Sequence, residues 1–283
     1  MSQTKVGLIG LGLMGGSLSL ALQKTSKNYY FIGLDHNSVH CSQALELGLV
    51  DEIVQSLIEL KHCDIIVLSI PVDGIIAVSQ ALGTLKMLDR ECTIIDLGST
   101  KEKISLSIPS HIRKNFVTAH PMTGTEKFGP KASLEGLYQN KVVVLCDLEK
   151  SGEKQVQIAK TLFSDIGMNI VCMDAKEHDR HAAFISHMPH ALSYALANSV
   201  MQQEASQSII ALAGGGFRDM SRIAKSSPSM WEDIFTQNKE NVLESIHSLQ
   251  SELKKCERLV AEESWEELNQ WMAKANILHE ILD

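Results

Sequence analysis

A histidine stands where an apolar run gives way to a glycine-containing loop, in the stretch AHPMTGTEKFGP at residues 119–130. His120 follows residues that are typical of a strand, and Gly124 and Gly129 after it can act as loop hinges. Histidine titrates near neutral pH, at about 6.5 when unperturbed, so it can take up or release a proton during a reaction. The alternative role for His120 is structural, as a strand-end side chain bonded to a backbone carbonyl.

Three glycines near the N-terminus have the spacing of a dinucleotide-binding turn. In VGLIGLGLMGGSLSLAL they form G-x-G-x-x-G between a predicted strand and a predicted helix, which is the context that the motif requires. The first glycine permits a tight turn, the second lets a pyrophosphate approach the backbone, and the third allows helix and strand to pack closely. Free N–H groups at the helix N-terminus would bind the phosphates. The predicted phosphate-binding residues are Gly10, Leu11, Gly12, Leu13, Met14 and Gly15.

An acidic residue follows the next predicted strand, FIGLD, where it would bind both ribose hydroxyls of the cofactor. Asp35 lies 20 residues after Gly15, at the place that the dinucleotide-binding motif leads us to expect. A 2′-phosphate would call for a neighbouring arginine, but the next residues are His36 and Asn37. The sequence therefore predicts NAD and not NADP.

Further strand ends should meet at the same edge of the sheet, where doubly wound folds bind ligands. LSIPV brings Ser69, Ile70 and Pro71 toward the cofactor, and DLGSTK brings Ser99. Ser99 and Thr100 are also good N-caps for a helix that begins near residue 101, and capping is the simpler interpretation of both. Ser99 could also cap the helix and present its hydroxyl to a ligand at the same time.

Two pairs of histidines follow in the helical part of the chain. SHMPH holds Ser186, His187 and His190, with Pro189 expected to bend the helix. His178 and His181 are expected to be exposed. Histidines three residues apart can bind a metal ion, but no cysteine or carboxylate cluster completes a familiar ligand pattern, so no metal is predicted.

A second unusual stretch, AGGGFRDMSRIAKSSPSMW at 213–231, carries two arginines four residues apart. Like charges on one helix face repel, so a shared anion would explain Arg218 and Arg222. The alternative is a solvated face, since Asp219 and Lys225 lie nearby. Trp231 is interpreted as a core or interface anchor.

These residues must be positioned by an α/β domain followed by an all-helical one. Short apolar runs recur at 5–9, 30–34, 64–70, 93–97, 116–119, 142–146 and 169–173, with helical patterns such as 14–24, 73–85 and 151–165 between them. This alternation predicts a Rossmann-type, doubly wound and mostly parallel sheet. After about residue 175 the apolar spacing is helical throughout, with long helices at 239–262 and 264–281. The predicted domains are residues 1–175, for dinucleotide binding, and 176–283, for substrate binding and dimerisation.

Composition excludes several classes of function. The 283 residues carry a net charge of −8, which argues against a nucleic-acid partner. The most apolar long window, 183–200, contains two histidines and a proline, so no membrane span is expected. The six cysteines form no CxxC pair, and the first strand starts too early to leave room for a signal peptide. We expect a cytoplasmic protein with reduced thiols.

The ordered motifs GLGLMGGS, DLGSTK, HPMTGTEKFG, SHMPH and GGGFRDMSRIA resemble the prephenate/arogenate dehydrogenase family over nearly the whole chain. The resemblance implies oxidative decarboxylation of prephenate to 4-hydroxyphenylpyruvate on the route to tyrosine, by a homodimer. It implies that His120 engages the ring hydroxyl, that Ser99 contacts His120 or that hydroxyl, and that Arg222 binds a substrate carboxylate. Ser186, His187 and His190 would line the pocket, with Thr125 and Glu126 over its entrance. Arg218 is a further candidate for the substrate anion on its spacing from Arg222 alone.

Three alternatives stay open on the sequence alone. Arogenate differs from prephenate only in its side-chain amino group, so it remains a candidate substrate, and tyrosine remains a candidate inhibitor because it resembles the product. Another two-domain hydroxy-acid or imine dehydrogenase could begin with the same glycine motif, although the lysine motif G-x-x-x-K-x-x-N of the β-hydroxyacid enzymes is not found. The third alternative is a regulatory protein that binds NAD but has lost catalytic activity.

Overall fold

The computed structural model describes residues 3–84 and 91–282 of the chain. A mostly parallel sheet forms the first part of the molecule. Within these residues the sheet has eight strands in the order β3-β2-β1-β4-β5-β6-β7-β8. The strands are β1 (Thr4–Ile9), β2 (Tyr29–Leu34), β3 (Glu52–Ile53), β4 (Ile65–Leu68), β5 (Thr93–Asp96), β6 (Phe116–Pro121), β7 (Val142–Cys146) and β8 (Asn169–Met173). Neighbouring strands are parallel except for β6 and β7.

Helices cover the sheet and then form the rest of the chain. The helices of the first part are α1 (Leu13–Gln23), α2 (Ser38–Glu46), α3 (Val72–Thr84), α4 (Glu102–Ser107) and α5 (Glu153–Asp165). Those of the second are α6 (Ala175–Ala182), α7 (Met188–Met201), α8 (Ser206–Ala211), α9 (Gly215–Ser221), α10 (Pro228–Gln237), α11 (Lys239–Ala261) and α12 (Trp265–Leu282). A π-helical turn, Ala183–His187, joins α6 to α7, and Pro189 lies in the first turn of α7.

The near-continuous apolar strands bury side chains on both faces of the sheet. In β4, Val67 packs into one hydrophobic cluster, and Ile66 and Leu68 pack into the other. The same alternation separates Leu8 from Ile9 in β1. Helices are therefore needed on both sides, which is the physical reason for the doubly wound architecture.

The predicted fold class is confirmed, with small differences at the ends of the elements. The predicted strand at 116–119 continues to Pro121, because residues 118–121 pair antiparallel with β7. The two-residue strand β3 was not predicted, α2 had no predicted bounds, and the last residue of the helix predicted at 73–85 lies outside the described residues. No helix in the described ranges has both the length and the apolar character needed to cross a membrane.

Candidate active site

The parallel strands β1, β2, β4, β5 and β6 bring their carboxyl ends to one edge of the sheet. Backbone hydrogen bonds tie these ends together: the Gly10 N–H donates to the Leu34 carbonyl at 2.9 Å, and the Ser69 N–H donates to the Ile9 carbonyl at 2.8 Å. Ligands of doubly wound sheets bind at this edge, at the point where the strand order reverses. Here the reversal lies between β1 and β4, directly beside the glycine turn.

The glycine turn has the geometry of a phosphate-binding loop. Gly10 has φ +95°, and a Cβ there would lie 2.5 Å from the Ser69 carbonyl oxygen, so only glycine fits. A Cβ at Gly15 would lie 2.3 Å from the Gly10 carbonyl oxygen, so helix and turn are in close contact. Among the described residues a Cβ at Gly12 would meet only the Gly129 backbone nitrogen, at 3.9 Å, which leaves open space beside the backbone. No side chain in the described ranges caps the N-terminus of α1, so its N–H groups remain available to an anion.

Asp35 lies next to this turn and is fixed by two backbone donors. Its carboxylate accepts from the Leu11 N–H and from the Asn37 N–H, both at 2.9 Å. Imidazole nitrogens of His36 and His40 lie 3.4 and 3.5 Å from its oxygens. The carboxylate is therefore oriented before any cofactor arrives.

The other predicted cofactor residues lie at the same edge but differ in what their side chains can offer. Leu11 is buried in the core, so only its backbone faces the turn. The Ser69 hydroxyl donates to the Gly10 carbonyl at 2.7 Å and supports the turn, while Ile70 packs against Gly10. Pro71 is exposed at the start of α3.

His120 lies in β6 and is held by a chain of hydrogen bonds from the helical part of the molecule. Its Nδ1 is 2.8 Å from Nε2 of His178, and Nδ1 of His178 is 2.8 Å from a carboxylate oxygen of Asp179. All three side chains are buried, with His178 only 2% exposed. The expectation that His178 is exposed is wrong, because α6 packs against β7 and α4 and its His178 side chain faces inward.

A buried ion pair lies close to His120. Lys101 and Asp96 are both fully buried and in contact, and the Lys101 ammonium also donates to the Ala119 carbonyl at 2.7 Å. Burial, reinforced by His178, Lys101 and His187, holds the pKa of His120 well below 6.5. His120 is consequently a neutral imidazole at physiological pH and can accept a proton.

Ser99 and Thr100 do not cap α4. That helix begins at Glu102, and its first N–H groups are satisfied from the helical part instead: the Asp179 carboxylate accepts from the Lys101 N–H at 2.7 Å and the Glu102 N–H at 2.9 Å. Thr100 donates to the Gln237 side chain at 2.6 Å. Ser99 is half-buried and makes no side-chain hydrogen bond to the residues that the structure describes, so its hydroxyl is available to a ligand.

The SHMPH segment forms an aromatic and imidazole cluster with Trp231. The His190 ring stacks on the indole with a centroid separation of 3.6 Å, and the His187 ring meets it edge-on at 5.9 Å. His190 donates from Nδ1 to the Ser186 carbonyl at 2.9 Å, so Ser186 supports the cluster through its backbone. Burial lowers the pKa of His187 to about 4, and Nε2 of this ring has no partner among the described residues.

The two arginines of the second unusual stretch lie in different local settings. Arg222 begins a 3₁₀ turn after α9, and its positive charge adds to burial in lowering the pKa of His190, which places it near the cluster. Arg218 is exposed and donates to the Ala213 carbonyl at 3.2 Å. Thr125 and Glu126 are also exposed, on the loop that follows β6 and passes Gly12 at Gly129.

Two family models match consecutive parts of the chain. The model described as prephenate dehydrogenase, nucleotide-binding domain, matches residues 18–172, and the prephenate dehydrogenase dimerization domain matches residues 174–274. A curated prephenate dehydrogenase from Bacillus subtilis is 33% identical over 97% of this chain and 76% of its own length.

Solved structures agree with these matches. The chain resembles a prephenate dehydrogenase from Aquifex aeolicus, solved in complex with hydroxyphenyl propionate and NAD+, with a TM-score of 0.93, 33% identity and coverage of 100% and 99% of the two chains. It also resembles Synechocystis arogenate dehydrogenase, with a TM-score of 0.82, 28% identity and coverage of 99% and 100%. With both domain models matched in order and a relative of this identity, the chain belongs to the prephenate dehydrogenase family.

Proposed function

We propose that this protein is an NAD-dependent prephenate dehydrogenase that forms 4-hydroxyphenylpyruvate in tyrosine biosynthesis. The observation that carries the proposal is His120, a buried neutral imidazole at the sheet edge where the glycine turn also lies. A dehydrogenase that removes a hydride from a carbon bearing a hydroxyl needs such a proton acceptor beside its cofactor. The proposal is supported by the similar proteins from Aquifex aeolicus and Bacillus subtilis, both of which are named prephenate dehydrogenase.

The residues of the glycine turn fit NAD. The open space at Gly12 and the uncapped N-terminus of α1 suit a pyrophosphate, and the oriented Asp35 carboxylate suits a ribose diol. We assign cofactor binding to the turn, to Asp35 and to the segment 69–71, with Ser69 acting through the turn that it supports. When bound, NAD accepts the hydride from the substrate.

For the substrate, we assign one anion-binding group and a surrounding imidazole cluster. Prephenate carries two carboxylates, and Arg222 beside His190 is the cation best placed to bind one of them. His187 would offer its unpartnered Nε2 to the ligand, and Ser186 would act through its carbonyl on His190. Thr125 and Glu126 belong to the loop over the entrance, and Arg218 lies at the rim.

The reaction requires one proton to leave and return. As the hydride leaves the carbon that bears the hydroxyl, His120 accepts the hydroxyl proton and the carbon becomes a carbonyl. The bond to the ring carboxylate opposite then breaks, CO₂ leaves, and its electron pair makes the ring aromatic. His120 returns the proton to the phenolate oxygen, so no net proton is released. Aromatisation drives the reaction, and the protein chiefly orients the substrate and accepts this proton.

Steady-state kinetics with prephenate and arogenate, each with NAD and NADP, test the proposal. We expect the highest kcat/KM with prephenate and NAD, with 4-hydroxyphenylpyruvate as the product. The Synechocystis neighbour makes arogenate the second candidate, and a higher kcat/KM with arogenate would identify that substrate instead. Absence of NADH formation with both substrates would contradict the proposal and favour a regulatory NAD-binding protein. Adding tyrosine to the same assay tests whether the product-like amino acid inhibits.

We also propose a division near residue 175, a homodimer and a cytoplasmic location. The division is supported by the end of β8 at Met173, after which the described chain is helical. The homodimer is supported by the match to a dimerization domain and by exposed apolar side chains such as Leu212, Trp265 and Ile281. Light scattering at micromolar concentration should give twice the mass of one chain, and a monomer would contradict this. Free thiols at Cys41 and Cys63 suit a reducing compartment.

A further inference from the structure

We propose that His178 is a positioning residue that sets the tautomer of His120, so that Nε2 of His120 is left free to accept a proton. The proposal rests on the proposed function of His120 as the base. His178 belongs to α6, beyond the proposed domain division, whereas His120 belongs to the sheet. A side chain from the helical domain would thus prepare the base in the nucleotide-binding domain.

The donor and acceptor in each hydrogen bond of the series His120–His178–Asp179 follow from Asp179, which ends the series. Its carboxylate accepts from the Lys101 and Glu102 N–H groups and, as an acceptor, receives the Nδ1 proton of His178 at 2.8 Å. With its ring proton placed at Nδ1 by Asp179, His178 presents a lone pair at Nε2. His120, 2.8 Å away, must donate its Nδ1 proton to that lone pair, and its own Nε2 carries no proton.

The chain of donors is held in place from several sides. The first N–H groups of α4 fix the Asp179 carboxylate, and the Asn238 side chain donates to the Asp179 carbonyl at 2.7 Å. The two imidazole rings meet edge to face, with centroids 5.0 Å apart and planes at 70°. Because His178 and Asp179 are each 2% exposed, water has little access to replace either partner.

Among the residues that the structure describes, His178 alone accepts from Nδ1 of His120. A histidine side chain that loses such a partner can adopt the other tautomer, in which Nε2 is protonated and cannot act as the base. In other enzymes, removing the group that orients a catalytic histidine lowers activity by roughly ten-fold to ten-thousand-fold. We expect the loss here on the order of 10²-fold in kcat, with little change in binding.

The experiment combines ¹⁵N NMR of the histidine rings with kinetics of the full-length protein. In the wild-type protein with NAD bound, His120 should show a protonated Nδ1 and an unprotonated Nε2. A wild-type spectrum with His120 protonated at Nε2 would overturn the proposal, whatever the substrate proves to be. Because this readout needs no turnover, it separates the tautomer from the proposed function.

The variants then test the consequence. His178→Phe keeps a ring but removes the acceptor, so kcat should fall about 10²-fold, while KM for prephenate and Kd for NAD stay within about threefold. His178→Gln can donate to Asp179 and accept from His120, so it should restore kcat to within about tenfold of wild type. His181→Phe, on the exposed side of the same helix, is the matched control and should be unaffected. Equal kcat in His178→Phe and wild type, or equal losses in the phenylalanine and glutamine variants, would contradict the proposal.

Discussion

Replacing Lys101 by methionine should destabilise the protein through the carboxylate that it leaves behind. Lys101 and Asp96 have no solvent exposure, and the ammonium also serves the Ala119 carbonyl. One Asp96 oxygen already has no hydrogen-bond partner among the described residues, so few groups could compensate for the loss. Methionine fills much of the volume of the lysine stem, which isolates the electrostatic effect from that of a cavity.

The magnitude follows from the burial of both partners. Removing one partner of a buried ion pair costs about 3–5 kcal/mol, because the other charge is left uncompensated. Burial already raises the pKa of Asp96, and the loss of the ammonium would raise it further. Lys101→Met should therefore lower the free energy of unfolding by about 3–5 kcal/mol. The Asp96→Asn substitution in the same chain should recover at least half of that, since a neutral amide needs no counter-charge.

Urea denaturation of the four proteins of this double-mutant cycle, at one fixed concentration, measures the coupling. The m-value should be unchanged. A loss below about 1 kcal/mol for Lys101→Met, which is the range of an exposed ion pair, would show that the pair does not behave as a buried one. Strict additivity of the two substitutions would show that the partners do not interact, and either result would refute the reasoning.

Three further predictions concern the site itself. The profile of kcat/KM against pH should be flat from pH 8 down to about 6.5 and should fall only at lower pH. Burial lowers the pKa of His120, so activity is lost as the pH drops through that lowered value. A fall in kcat/KM centred at the ordinary histidine pKa would contradict this. Asp35→Ser should narrow the preference for NAD over NADP by about tenfold or more, measured as the ratio of kcat/KM values, and a wild-type preference for NADP would show that Asp35 does not select the cofactor. Arg222→Ala should raise KM for prephenate by on the order of 10²-fold, with Kd for NAD unchanged. Arg218→Ala, which removes an exposed side chain, should change KM for prephenate less than about fivefold. Equal effects of the two substitutions on KM would show that Arg222 is not the specific substrate-binding arginine.

Much of the fold could be predicted because its signals are local. The alternation of apolar strands and helices marks each element, and the glycine spacing with Asp35 marks the turn at the end of β1. Gly10 and Gly15 are needed for steric reasons that depend on neighbouring residues of the same turn and on Ser69. Such requirements leave a pattern in the sequence.

The interior of the site could not be predicted because its contacts join distant parts of the chain. His178 lies 58 residues along the sequence from His120. Asp179 lies 78 residues from Lys101, whose N–H donates a hydrogen bond to the Asp179 carboxylate. A polar helix segment, AKEHDRHA, gives no sign that its His178 and Asp179 face a sheet while His181 faces solvent. The capping of α4 illustrates the same limit: Ser99 and Thr100 are good local caps, but the Asp179 carboxylate from α6 takes that role.

The most direct test of the function is the rate of prephenate-dependent NADH formation in wild-type protein and in His120→Asn. Asparagine keeps a polar side chain of similar size but accepts a proton poorly, so the wild type should form NADH and 4-hydroxyphenylpyruvate while kcat of the variant falls by ~10²–10⁴. Kd for NAD, measured by fluorescence quenching, should be the same in both proteins. A near-normal kcat in His120→Asn, or a loss that is explained by weaker NAD binding, would mean that His120 is structural and would contradict the assignment of the catalytic base.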